Sequence, residues 1–392
     1  MRLLPLVLLS LTVTILTAAS VLAEENKPFL TPWPEEVPFP TRAELTFPEG
    51  CEHFIVHDSE ADPVYKFLHE TAVGFCGDEL VVGWYHNPEK ELSGKTFQRA
   101  RRSRDGGKSW SDPEIVMDRD NDKGLMYVGL QFVEKDGVFY AVSNQESGAE
   151  KPVDALLLDY DKTAKRWNEI GPIAPRFLSM QQPMKMDDGD WVVAGSYNPT
   201  PGEVNGIMPC VYVSRGDDFT QPWRRYLIDT EFVNIFAETA VIPDGANLMA
   251  VTRREDTPFP NFYVSGDFGR TWERIVNETF PTSSTKYAGG RLSDGTRYLI
   301  YNHPDFERDE NGRVKPETMN RDRSMLAIAL AKPGEKTFTR IYKISDPSTP
   351  TRQVLSHYPC AVERDGKLYI SYTGKHRLRN AGLTVVPMDS LR

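Results

Sequence analysis

Six short hairpins of one design recur along this chain, and a repeat of that kind restricts the available folds more than any other feature of the sequence. Runs that alternate apolar and polar residues, rich in Val, Ile, Tyr and Phe, begin at Glu79, Gly137, Asp190, Leu248, Tyr298 and Lys367. Each follows a turn signal: Cys76-Gly77-Asp78, Asp136-Gly137, Asp188-Gly189, Asp244-Gly245, Asp294-Gly295 or Asp365-Gly366. Alternation is the period of a strand, and Asp-Gly between two such runs favours a tight hairpin. No stretch carries a sustained helical period, so the expected fold class is all-β.

A second periodic mark fixes the size of the unit. Residues Ser103 to Trp110 and Ser265 to Trp272 share the pattern Ser-x-Asp-x-Gly-x-x-Trp. Its physics is local: the Asp carboxylate accepts backbone N–H groups, the glycine takes a conformation other residues resist, and the Trp packs under the hairpin. Decayed relatives end at Trp167, Trp223 and Phe338, which spaces the five aromatic ends by 49 to 66 residues. Units of that length with four strands are propeller blades. Six fit within residues 51–392, the last closed by strands from both ends of the chain so that no sheet edge is left open. A six-bladed β-propeller with four antiparallel strands per blade is therefore expected.

The ends and the composition bound the setting. Residues 1–23 carry Arg2, an apolar run from Leu3 to Leu16 and the small-residue exit Val21-Leu22-Ala23, the layout of a secretory signal cleaved before Glu24. The run is diluted by Ser10, Thr12, Thr14 and Thr17, so no membrane insertion is expected after cleavage, and the protein is expected to be secreted or periplasmic. Residues 24–50, with Pro28, Pro34, Pro38, Pro40 and Pro48, read as an extended arm. A net charge of −10 without any Lys/Arg block argues against nucleic acid as a partner and fits a glycan or oligosaccharide better. Cys51, Cys76, Cys210 and Cys360 lie far apart and form no zinc-type pairs, leaving disulfides and buried thiols both open. No cofactor or metal is expected, and the chain is expected to be a monomer.

The Ser-x-Asp-x-Gly-x-x-Trp pattern is the Asp-box of sialidase-type propellers, and residues 60–390 resemble the sialidase superfamily as a whole. The resemblance implies a retaining exo-glycosidase acting on a terminal acidic sugar, with a Tyr nucleophile assisted by Glu, an acid-base aspartate and three substrate-binding arginines. A sugar acid carries a carboxylate beside its anomeric carbon, which would repel an anionic nucleophile but not a neutral phenol. Arginines suit that carboxylate through bidentate, charge-assisted bonds. The segments Ala237-Glu238-Thr239 and Thr252-Arg253 match the family's activating Glu and one arginine, and Ser356-His357-Tyr358-Pro359 matches the nucleophile segment. Arg323 stands in the place of another arginine, with Arg321 as its competitor.

The first blade departs from the family. Where the family has an arginine, Tyr65-Lys66-Phe67-Leu68-His69-Glu70 offers His69, which is expected to bind an anion weakly when neutral and more tightly when charged, and so to give substrate affinity an inflection near neutral pH. The acid is expected from Glu70 or from the loop His86 to Gly94, which offers Glu89 and Glu91. Arg291 and Asn302 are further candidates for substrate contact, and Asn277-Glu278-Thr279 is a glycosylation sequon. Two alternatives remain open: a non-catalytic glycan-binding propeller, and a propeller hydrolase or lyase on uronic or neutral sugars using His69 and Glu70.

Overall fold

The computed structural model describes residues 31–92, 95–148, 151–200, 206–231, 236–349, 354–374 and 379–391. They form six antiparallel blades around one axis, and the described residues contain no α-helix. From blade one to blade six the inner strands are Phe67–Cys76, Met126–Lys135, Phe177–Ser179 continued by Met184–Lys185, Thr239–Asp244, Ala288–Arg291 and Ser356–Arg364. Each reverses at one of the six turns read from the sequence into a second strand: Glu79–Asn87, Val138–Glu146, Trp191–Tyr197, Asn247–Thr252, Arg297–Asn302 or Lys367–Gly374. Every repeated hairpin is thus the inner half of a blade.

Closure uses both ends of the chain. In blade six, Ser356–Arg364, Lys367–Gly374 and Asn380–Pro387 are joined by Glu52–Asp58, which pairs antiparallel with the last strand, His53 opposite Thr384. Apolar layers fill the spaces between blades. Gly83 in blade one faces Leu130 and Phe132 of blade two so closely that an added Cβ would come within 2.6 Å of Leu130, so only glycine lets these sheets meet. Burying each of those two side chains contributes about 1.5–3 kcal/mol.

Both Asp-boxes sit at the turn between the third and fourth strands of their blades, on the outside, and they are wired alike. Asp105 accepts the Ser109 N–H at 2.9 Å, and Asp267 accepts those of Arg270 and Thr271 at 3.0 and 2.9 Å. Trp110 and Trp272 each donate their indole N–H to the carbonyl of the box glycine at 3.0 Å. The described part of the arm, 31–50, is anchored against blade five: Trp33, Phe39 and Leu45 are buried there, and Arg42 donates to the His303 carbonyl and pairs with Asp322. The expected signal at 1–23 and the start of the arm lie outside the described residues. Among the described residues no helix is long and apolar enough to cross a membrane. All four cysteines are free thiols.

Candidate active site

The opening ends of the inner strands converge on the axis, and a cluster of charged groups gathers there. Thr239 pairs with Thr252 at the open end of the blade-four hairpin, which sets the next residues, Glu238 and Arg253, side by side. The Arg253 N–H donates to the Glu238 carbonyl at 3.0 Å, and its guanidinium Nη1 donates to Glu238 Oε2 at 2.8 Å. The same Nη1 donates to the Tyr358 hydroxyl at 3.0 Å, and that hydroxyl donates to Glu238 Oε1. The three groups form a closed triangle across blades four and six, all nearly inaccessible. Glu255 and Ser284 hold the far side of Arg253 at 2.6 and 2.9 Å.

Tyr358 reaches this triangle from a distorted strand. The pairing of the first two strands of blade six slips between His357 and Cys360, and Tyr358 takes the left-handed conformation with φ 56°. Blade one repeats the device: its register slips between His69 and Ala72, and Glu70 has φ 49°. A non-glycine residue in that region costs about 1–3 kcal/mol, and such strain concentrates at functional sites. The two histidines that precede the strained residues pack together, ring centroids 4.9 Å apart, with His69 also 4.3 Å from the Tyr358 ring.

Burial dominates the electrostatics. It raises the Tyr358 phenol well above its usual value; Glu238 adds to this and Arg253 and Arg323 oppose it. Glu70 is pushed up to about 7, first by burial, with Lys286 working in the opposite direction. His69 is held well below the usual imidazole range by burial and by Arg379, His357, Arg323 and Lys286. Its Nδ1 lies 3.0 Å from the Thr373 hydroxyl. Burial first, and then the nearby positive charges, work against the neutral-pH inflection expected of His69, although Glu91 Oε1 lies 3.8 Å from its Nε2.

The other predicted residues divide into two groups. Glu70, Glu91, Glu238 and Tyr358 line one pocket of about 90 Å³ together with Tyr85 and Asn144. Glu91 accepts from the Tyr85 hydroxyl at 3.1 Å and from Arg379 at 3.4 Å, and the Arg323 guanidinium lies 5.8 Å from the Tyr358 ring centre. Arg291 is not brought to this cluster: it ends the inner strand of blade five beside the Asp294-Gly295 turn, at the opposite end of the sheet, 3.8 Å from Asp187. Its assignment to substrate is corrected accordingly. Glu89 is an exposed loop residue, Arg321 braces the carbonyls of Arg254 and Glu255, and the Asn302 amide ties Met325 to Ser356. Asn277 is partly buried and donates its amide to the Pro260 and Phe280 carbonyls.

Two cations of the cluster are absent from the sequence reading. Arg379 leads into the last strand of blade six and lies over the Phe67 ring at 4.6 Å. Lys286 stands two residues before the inner strand of blade five, buried. A signal for Lys286 existed, since Glu238 and Tyr358 also sit where an inner strand opens. Elsewhere, His57, Asp62 and His86 approach as metal ligands would, but Arg99 donates to Asp62 at 3.0 Å and lies 3.1 Å from His86. A guanidinium already fills the cation's place, and we assign no ion to it.

Residues 174–370 match the family model of the BNR repeat-like domain. No curated protein matches the chain. Among solved structures, a protein of unknown function from Dyadobacter fermentans is 13% identical with a TM-score of 0.57, the match covering 86% of this chain and 99% of that one. Trypanosoma rangeli sialidase is 13% identical with a TM-score of 0.61, covering 87% of this chain and 60% of its own. One structure of that enzyme holds 2,3-difluorosialic acid as a covalent intermediate. A Hadza microbial sialidase is 14% identical with a TM-score of 0.62, covering 84% of this chain and 67% of its own. At these identities the likeness is one of fold.

Proposed function

The chain belongs to the BNR repeat-like family of sialidase-like propellers, and on that premise we propose that it is a retaining exo-glycosidase that removes a terminal acidic sugar, sialic acid or a relative, from glycans. The observation that carries the reading is the Tyr358 hydroxyl held between Glu238 and Arg253. In the first step the Tyr358 oxygen bonds to the anomeric carbon while its proton passes to Glu238, and the glycosidic bond breaks as a blade-one carboxyl, Glu70 or Glu91, protonates the leaving oxygen. In the second, water displaces the tyrosine, which recovers its proton from Glu238, so the configuration is retained. Arg253 and Arg323 supply positive charge for the sugar carboxylate.

One observation favours a second reading, a propeller that binds glycans without cleaving them: blade one presents the neutral His69 instead of an arginine. A panel of fluorogenic sialosides, uronides and neutral glycosides separates the two. Hydrolysis of an acidic glycoside, lost in Tyr358→Phe, is the expected result, and binding without turnover of any member would favour the second reading. We further propose export to the cell exterior or periplasm, for which N-terminal sequencing of the exported protein should begin at Glu24.

A further inference from the structure

The twin distortions of blades one and six place two unlike groups at corresponding points, Glu70 and Tyr358, each in a left-handed conformation that sends its side chain to the pocket. Blade two makes room for the first of them. A Cβ on Gly129 would come within 2.6 Å of Glu70 Oε2 and 2.5 Å of Asn144 Nδ2, so the Glu70 carboxyl rests against a bare backbone that any other residue would obstruct. Glu91 is differently placed: it stands on the loop beyond Asn87, half exposed, already accepting from Tyr85 and Arg379. Among the charges acting on Glu70, Lys286 comes first; its side chain is buried and its Nζ has no hydrogen-bond partner among the described residues. A buried polar group without a partner is costly.

Resting on the glycosidase reading above, we propose that Glu70 is the acid that protonates the leaving oxygen, and that Lys286 is a positioning residue that sets how readily Glu70 gives up its proton. In the first step the Glu70 proton goes to the glycosidic oxygen, which keeps the electron pair of the broken C–O bond. In the second the Glu70 carboxylate takes a proton from the attacking water and is restored. Burial raises the Glu70 carboxyl, Lys286 is the foremost of the neighbouring charges that oppose it, and the carboxyl comes to about 7, the range in which a group both donates and accepts at physiological pH. The charged and titratable groups that act on Glu70 or line its pocket are Lys286 before blade five, Glu238 before blade four, Glu91, Tyr85 and the adjoining His69 from blade one, Glu146 from blade two, and Tyr358 and Arg379 from blade six.

The test combines kinetics with a titration that does not depend on turnover. In Glu70→Gln, substrates with a poor alcohol leaving group should lose at least about a hundredfold in kcat/KM, while an aryl glycoside with an acidic leaving group should lose less than about tenfold. Glu91→Gln should affect both substrates alike. The alkaline limb of the wild-type pH profile should move up by about one unit in Lys286→Met, because a cation that lowers the Glu70 pKa has been removed. Carboxyl NMR of the full chain with labelled glutamate should show one group titrating near 7, absent in Glu70→Gln and moved upward in Lys286→Met. If Glu70 titrates in the ordinary carboxylate range, or does not respond to Lys286→Met, the proposal is wrong whatever the activity. Should the NMR behave as stated while no glycoside is hydrolysed, the glycosidase reading fails and the assignment of Glu70 as acid fails with it, but the coupling to Lys286 stands.

Discussion

At the scale of single residues, the question is how a phenol attacks at all. A tyrosine is a weak nucleophile at its free pKa near 10, and Tyr358 is raised above that by burial and by Glu238. Free phenolate is therefore scarce, and attack requires Glu238 to accept the proton in the same step. Tyr358→Phe and Glu238→Gln should each lower kcat on the order of 10³-fold or more, with little change in melting temperature. Because the two act as one unit, steady-state kinetics of the double variant should show hardly more loss than either single one; additive losses would mean that the residues have separate tasks. The Arg253 guanidinium, which touches both, explains why the pair is fixed before substrate arrives.

At the scale of the element, the strained bulges hold the chemistry and the Asp-boxes hold the blades. Gly129→Ala should push the Glu70 carboxyl aside and lower kcat on the order of 10- to 100-fold, and the melting temperature should fall as well, since the added Cβ also meets the buried Asn144 amide, which is held by hydrogen bonds to Ser179. Asp267→Ala removes the acceptor of two turn N–H groups and should cost about 1–3 kcal/mol in denaturant unfolding while leaving turnover intact. Comparison of the elements also shows what a sequence discloses. The hairpins were legible because Asp-Gly turns and alternation are local, and so were Glu238 and Arg253, which one hairpin places side by side. Arg379 was not, since its meaning comes from the axis on which six blades converge, and the signal for Lys286 was only its place before an inner strand. The low pKa of His69 has a related reason: it comes first from burial and then from Arg379, His357, Arg323 and Lys286, all more than two hundred residues away in the chain.

At the scale of the whole molecule, closure of blade six by Glu52–Asp58 makes the propeller one cooperative body, and its buried histidines make that body sensitive to acid. Burial lowers His57 and His303 to about 4 and His86 to about 2, and moves His53, His69 and His357 in the same direction. Between pH 6.5 and 4 the unfolded chain binds protons at His57, His86 and His303 that the folded one does not. Stability should therefore fall as pH falls through that window, by about 1.4 kcal/mol per pH unit for each such histidine, with Glu70, raised to about 7, opposing it as a single group. Calorimetric melting between pH 7 and 5 reads this directly, and a melting temperature that rises over that interval would contradict it. The central claim, a sugar acid bonded to Tyr358, is tested most directly by mass spectrometry of the intact chain after incubation with 2,3-difluorosialic acid, followed by peptide mapping. The account predicts one added glycosyl group, mapped to Tyr358 and absent from Tyr358→Phe; an unmodified chain, or a label on any other residue, would contradict it.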